Sequence, residues 1–283
     1  MIHHSSAPRP VSQDGPALTE ADFHAIAALL RRIAGITLSD SKRDLVFGRL
    51  NRRLRVLGLR SFAEYRAVLD GPDGEAERGE MINALTTNLT SFFREPHHFT
   101  WLASPVLSDL VTAGGPRRLR IWSAACSTGQ EPYSIAMVLH NALRNKGAWD
   151  ARILATDIDT NVVETAMRGR YDAESVRTIP AEYARLTEQH ADGTFSMSEA
   201  LRRYIAFKPL NLLNPLSMHG PFDVIFCRNV VIYFEKDVQR TLFDRMADLL
   251  GPGGVLFIGH SETLLGVSDR FENLGRTTYR KRD

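Results

Sequence analysis

From about residue 118 onward, short apolar runs rich in β-branched and aromatic residues alternate with stretches of helical period, and that alternation leaves few folds open. Residues 119–125 (LRIWSAA), 151–156 (ARILAT), 204–208 (YIAFK), 223–227 (DVIFC) and 254–259 (GVLFIG) read as strands. Residues 132–146, 161–168 and 238–250 read as helices between them. A strand that follows a helix returns parallel to its predecessor, because a parallel partner needs a crossover long enough to hold that helix. The expected product is a doubly wound α/β sheet covered by helices on both faces. Residues 171–203 break the rhythm into short mixed segments and read as a small inserted subdomain. Residues 270–281 (RFENLGRTTYRK) read as a closing hairpin with Gly275 at its turn.

Upstream, no strand signal occurs. Thr19 suits an N-cap with Asp22 three residues on, and Phe23, Ile26, Ala27, Leu30 and Ile33 form an apolar stripe that Gly35 ends. A second helix fits residues 40–57, with Leu45, Leu50, Leu54 and Leu57 inward and Gly58 as the stop. Ser61 caps a third helix reaching Leu69, and a fourth fits residues 77–85. The 283 residues exceed one average domain. They divide into a disordered tail over 1–16, an all-α domain over 17–90 and the α/β domain over 91–283, with its insertion at about 171–203.

Lys and Arg number 35 against 33 Asp and Glu, so net charge by itself argues for no acidic partner. Locally the balance differs. Between Lys42 and Arg60 seven basic residues face the single Asp44. Arg49, Arg52 and Arg53 fall at i, i+3 and i+4, a basic helical face suited to docking an acidic helix. No apolar run approaches the 18 residues of a membrane span, and the N-terminus lacks the apolar stretch of a signal peptide, so a cytoplasmic protein without membrane insertion is expected. Cys126 and Cys227 stand alone, which speaks against a disulfide framework and a metal site.

In an open parallel sheet, ligands bind beyond the carboxyl ends of the strands. The first strand runs into Ser123-Ala-Ala-Cys-Ser-Thr-Gly129-Gln-Glu131-Pro132, whose small side chains let a ligand approach the backbone. The second ends in Asp157, a carboxylate whose two oxygens match the vicinal diol of a ribose, although a capping role also suits it. The G-x-G-x-x-G cradle of a dinucleotide is missing, since Ala124 and Ala125 occupy the first loop. S-adenosylmethionine needs no phosphate cradle, and its cationic groups give Glu131 an electrostatic purpose beyond favouring a helix N-terminus. Two further polar stretches, Asn83–Pro96 and Cys227–Phe234, stand where packed elements would be apolar.

The strings TTNLTSFFRE, WSAACSTGQEPYSIAM, ATDIDTNVVETA, FDVIFCRNVVIYF and GHSETL, in this order behind a helical domain, closely resemble the CheR family of chemotaxis receptor methyltransferases over residues 18–280. The resemblance implies a Rossmann-like S-adenosylmethionine-dependent methyltransferase sheet with a small inserted β subdomain, preceded by an all-α N-terminal receptor-docking domain. It implies methyl transfer from S-adenosylmethionine, leaving S-adenosylhomocysteine, to glutamate side chains of chemoreceptor cytoplasmic helices. The cofactor contacts it implies are Asn88, Thr90, Arg94, Glu131, Asp157, Asn211, Leu212, Cys227, Arg228 and the neighbouring Asn229. Gln130 departs from the acidic residue that many relatives carry, with little effect expected because Glu131 remains. Arg94 is expected to steer the substrate carboxylate and Tyr233 to hydrogen-bond it or wall the methyl channel. Some relatives also grip a receptor C-terminal peptide through the insertion. Residues 187–198 here are short and hold only Gly193, so independence from that tether is expected, in a monomer that binds no nucleic acid.

Two competing readings differ in class. A nucleic-acid methyltransferase shares the sheet, but amino methylation of a base uses a polar-Pro-Pro-aromatic string where this chain has Arg228-Asn229-Val230-Val231. A non-catalytic sensor would bind cofactor or receptor without turnover, and the joint retention of Arg94, Glu131, Asp157 and Tyr233 argues against it.

Overall fold

The computed structural model describes residues 16–107 and 117–282. It divides into two compact units, one holding the chain up to Leu30 together with Leu38–Leu85, the other holding Arg31–Thr37 together with Thr86 onward. The expected tail lies, apart from Pro16, outside the described residues. Among the described residues, no helix is long and apolar enough to cross a membrane.

The first unit is all-helical. Helix α1 (Glu20–Ala34) starts where the Thr19 hydroxyl accepts the Asp22 N–H at 3.1 Å, satisfying one of the donors a helix start leaves open. A single 3-10 turn (Asp40–Lys42) leads into α2 (Arg43–Leu57), and Gly58, at φ 68°, closes it by donating to the carbonyls of Leu54 and Arg55. Ser61 caps α3 (Phe62–Asp70) through the Glu64 N–H, and α4 (Gly74–Leu85) begins a turn earlier than its apolar pattern suggests. Val46, Leu50 and Leu54, four residues apart on α2, are completely buried. Leu57, expected inward, is 39% exposed, because the buried stripe follows the i, i+4 line of Val46 and leaves the last turn uncovered.

The second unit opens with the short helix α5 (His97–Trp101) and is built on a seven-stranded sheet. Five strands run parallel: β1 (Arg118–Ser123), β2 (Asp150–Asp157), β6 (Ile205–Pro209), β7 (Phe222–Cys227) and β8 (Leu250–Ile258). The antiparallel hairpin β9 (Phe271–Gly275) and β10 (Thr278–Lys281) completes the order β6-β2-β1-β7-β8-β10-β9. The hairpin turns on Arg276 and Thr277, both at positive φ as a tight two-residue turn requires, just beyond the expected Gly275. Between β2 and β6 the insertion forms its own three-stranded sheet from β3 (Arg170–Tyr171), β4 (Thr187–Gln189) and β5 (Phe195–Met197).

Successive residues of the central strands serve opposite cores. Ile121, Phe226 and Phe257 pack on one side with Tyr133, Met137 and Leu139 of α6 (Gln130–Leu143). Trp122, Ile225 and Leu256 pack on the other with a later helix, Lys236–Leu249, through Leu242, Phe243 and Met246. Burial on both faces is why these strands read as continuous apolar runs. Strand order reverses between β1 and β7, so the crevice beyond their carboxyl ends is where the fold holds a ligand. Both cysteines are free and buried.

Candidate active site

The loop leaving β1 is fastened to its neighbours before it enters α6. The Ala124 N–H bonds Phe226 O at 2.8 Å and the Cys126 N–H bonds Thr156 O at 2.9 Å. Gly129 caps α6 at φ 100°, and a Cβ there would lie 2.7 Å from Tyr171 Oη and 2.8 Å from Ala166 Cβ, so both backbone angle and space demand glycine. Ser127 also sits at positive φ and donates its N–H to Asp157 Oδ2 at 2.8 Å.

Asp157 is 8% exposed, and its other oxygen accepts the Asp159 N–H at 3.1 Å. Burial raises its carboxyl above the ordinary range against those two bonds. The capping role that also suits Asp157 belongs to Asp159, which accepts the N–H groups of Asn161 and Val162 at the start of α7 (Thr160–Arg168). The second oxygen of Asp159 takes the Thr86 hydroxyl at 2.8 Å and the Asn88 amide at 2.7 Å. Asn88 O in turn accepts the Ser127 hydroxyl at 2.9 Å, tying the TTNLTSFFRE segment to the first loop.

Across the crevice a buried ladder of charge joins three loops. Arg228, with its side chain 2% exposed, donates to Glu131 Oε2 at 2.9 Å and lies 3.2 Å from Glu95 Oε2. It also donates to the carbonyl of Arg94. Glu131 is held further by the Ser123 hydroxyl at 2.7 Å, and burial, opposed by Arg228, raises its carboxyl. Burial would raise Glu95 as well, but Arg228, His260 and Asn229 outweigh it and hold the carboxyl down at about 2. With both carboxylates ionised, the trio carries one net negative charge in the interior.

The loop after β7 is shaped by one acid from the GHSETL segment. Glu262 accepts the N–H groups of Asn229, Val230 and Val231 at 2.9–3.0 Å and that of Gly259 at 2.5 Å. This anchorage supports Asn229 at φ 58° and leads into the 3-10 turn Val231–Tyr233. Phe93 and Glu95 are likewise at positive φ, so strained backbone gathers around this crevice. His98 is fully buried beside Glu95, with Nε2 on Arg276 O at 3.1 Å, and burial first, then Arg228, lowers its imidazole to about 3.

The expected site residues are brought together in part. Asn88, Glu131, Asp157, Arg228 and Asn229 belong to the bonded framework just described. Arg94 presents a half-buried guanidinium whose side-chain bond, among the described residues, goes to the Leu89 carbonyl at 2.8 Å. Thr90 and Tyr233 are partly buried, and among the described residues neither side chain has a hydrogen-bond partner. Cys227 is completely buried in the apolar cluster of Trp122, so only its backbone faces the loop. Asn211 spends its amide on Ile33 O at 2.6 Å and its oxygen on the Leu213 N–H, while Leu212 packs in the core. Their segment still starts at the site, for the Leu210 N–H bonds Asp157 O at 2.8 Å. Glu95, Asp159 and Glu262 were not singled out by the sequence. The signal available for Glu262 was its position just past a parallel strand's carboxyl end.

In the helical unit the basic face is partly spoken for. Arg53 makes a two-pronged pair with Glu77, at 3.0 and 2.6 Å, and lies 3.2 Å from Glu80. Arg49 donates to the Leu85 carbonyl at 3.0 Å at the end of α4. Arg52 alone of the three is exposed, and it has no bonded partner among the described residues.

The donors and acceptors suit a cationic nucleoside cofactor. Asp157 and Glu131 each keep lone pairs beyond those already engaged, since a carboxylate offers about four. The net negative trio favours a cation, and the small first loop admits one closely. Known proteins point the same way. The family model described as CheR methyltransferase, SAM binding domain, matches residues 88–280, and that described as CheR methyltransferase, all-alpha domain, matches residues 21–86. Chemotaxis protein methyltransferase 2 of Pseudomonas aeruginosa is 46% identical over 271 residues, covering 92% of this chain and 93% of its own. The chemotaxis protein methyltransferase of Escherichia coli is 44% identical over 270 residues, covering 93% and 91%. A probable chemotaxis protein methyltransferase of Rhizobium etli is 45% identical over 255 residues, covering 87% and 94%.

Proposed function

This chain belongs to the CheR methyltransferase family and is an S-adenosylmethionine-dependent methyltransferase, and on that footing we propose that it methylates glutamate side chains on the helical cytoplasmic domain of a chemoreceptor, giving glutamyl methyl esters. The observation that carries this reading is the buried Glu131–Arg228–Glu95 ladder at the point where strand order reverses, with the guanidinium of Arg94 beside it in sequence and free of any carboxylate among the described residues.

The bound cofactor supplies a methyl group on a sulfonium sulfur, which leaves with the electron pair of the broken bond. Asp157 would accept the ribose hydroxyls, and Glu131 the cofactor's ammonium, on lone pairs that Ser127, Ser123 and Arg228 leave open. Asn88 and Thr90 would line the same pocket, together with the backbone of residues 211–212 and 227–229. Arg94 would grip one oxygen of the substrate carboxylate and leave the other free to attack, since pairing both would blunt the nucleophile. Tyr233 would hydrogen-bond or wall the channel. A glutamate, with an ordinary pKa of about 4.3, is ionised at neutral pH, so the protein need not remove a proton. Its contribution is alignment and exclusion of water, which can supply roughly 7–11 kcal/mol.

On the helical unit, Arg52 is the residue of the basic face left to meet an acidic receptor helix. Incubation with methyl-labelled cofactor and a receptor cytoplasmic fragment tests the reading. Label released by base as methanol supports a glutamyl ester; base-stable label, or label on nucleic acid, refutes it.

A further inference from the structure

Helix α6 starts at the active site with Glu131 and ends about 20 Å away, at a rise of about 1.5 Å per residue. Its far end meets the amino ends of β2 and β6, the side of the sheet opposite the catalytic crevice. There a cavity of about 460 Å³ is lined by His140, Arg144, Trp149, Arg152, Arg203 and Tyr204. That volume is in the range of small-molecule pockets and far above what a single water needs.

The chemistry of the walls is one-sided. Three arginines line it, all exposed to solvent, and Arg144 and Arg203 have no carboxylate within ion-pair distance among the described residues. Arg203 instead lies over the Tyr204 ring, 5.2 Å from its centroid. The acid of the neighbourhood is Asp150, which is exposed, lies 3.9 Å from Arg152 and is already bound by Arg120. The indole N–H of Trp149 and Nδ1 of His140 are both buried without a hydrogen-bond partner among the described residues. Burial first, and then the field of Arg203, Arg185 and Arg144, push the His140 imidazole below its usual range.

We propose that this cavity is a second ligand site, separate from the cofactor crevice, that binds the phosphate of a nucleotide-sized phosphate ester. Arg144 and Arg203 grip the phosphate oxygens, with Arg152 at the rim. Guanidinium groups match phosphate geometry through paired N–H bonds.

The test is calorimetric titration of the full chain in saturating S-adenosylhomocysteine, which keeps nucleotides out of the cofactor crevice. Inorganic pyrophosphate and guanosine monophosphate are the two probes. One saturable site for either probe, weakened about tenfold or more in the Arg144→Gln, Arg203→Gln double variant, is the expected result. The double variant should keep the melting temperature and the S-adenosylhomocysteine affinity of the parent. Tighter binding of guanosine monophosphate supports a nucleotide, and tighter binding of pyrophosphate points to an inorganic source for the same recognition. Absence of saturable binding by both, or binding that the double variant leaves unchanged, overturns the proposal.

Discussion

Arg228 donates to Glu131 at 2.9 Å in the interior of the sheet domain, 97 residues away in sequence, with only 2% and 11% of the two side chains exposed. The pair joins the loops after β1 and β7, and through Glu95 it brings in the segment that ends in Arg94. One guanidinium therefore sets the relative positions of three loops that carry the expected chemistry.

Removing Arg228 leaves two buried carboxylates without their cation. Arg228→Met should lower stability by about 3–5 kcal/mol, measured by denaturant unfolding. Adding Glu95→Gln to that variant should recover part of the loss, because an uncharged amide tolerates burial better. Equal instability of the single and double variants would count against charge pairing as the cause.

Glu95 sits at about 2 against an ordinary 4.5, so its charge is favoured in the folded state. A depressed carboxyl contributes stability above its unfolded value and loses it as pH falls through the folded value. The stability difference between the parent and Glu95→Gln should thus be largest above about pH 5 and close towards pH 2. Glu131, Glu262 and Asp157, raised by burial, act in the opposite sense, so the difference between the two proteins is the quantity to follow. A difference that stays constant with pH would contradict the assignment.

Asp157 and Asp159 are separable. Asp159→Ala removes an N-cap and the bonds of Thr86 and Asn88, and should reduce stability by about 1–2 kcal/mol. Asp157→Asn keeps an acceptor for Ser127 but turns its NH2 group towards the Asp159 N–H and loses the charge, and should weaken S-adenosylhomocysteine binding about tenfold or more, at a stability cost of about 1–3 kcal/mol. Calorimetric titration alongside thermal melts reads both.

The basic face of α2 makes a parallel distinction. Arg52→Glu should raise the KM for a receptor fragment severalfold and leave the melting temperature unchanged. Arg53→Ala breaks a pair with Glu77, whose carboxylate is 8% exposed and also accepts the Tyr65 hydroxyl, and should destabilise the helical unit by about 1–3 kcal/mol. An unaltered KM in Arg52→Glu would remove this face from docking.

The strands, the glycine at position 129 and the acid at 157 were legible because each follows from local rules: apolar runs, left-handed backbone and the carboxyl-end rule for parallel sheets. Glu95 and Glu262 were not, since a charged residue in a loop reads as solvated until distant partners bury it, and Arg228 lies 133 residues from Glu95 and Asn229 lies 33 from Glu262. The same blindness affects Arg49 and Arg53. Helical spacing groups them with Arg52, but only the packing of α4 shows that Glu77 and the Leu85 carbonyl engage the first two. Asn211 shows the reverse case, a polar residue near the crevice whose amide is consumed by the Ile33 carbonyl. The unit boundary at Leu85, with residues 31–37 joining the sheet, likewise depends on contacts that no window of sequence contains.

The proposed transfer depends on alignment of an already ionised glutamate, without a general base. The direct measurement is the pH dependence of kcat with saturating cofactor and receptor fragment. A profile that is flat from about pH 6 to 9 is predicted, because the acceptor's ordinary pKa lies near 4.3 and His98, held at about 3, stays neutral throughout. A tenfold rise per pH unit that levels near neutrality would reveal a base in the rate-limiting step and contradict it.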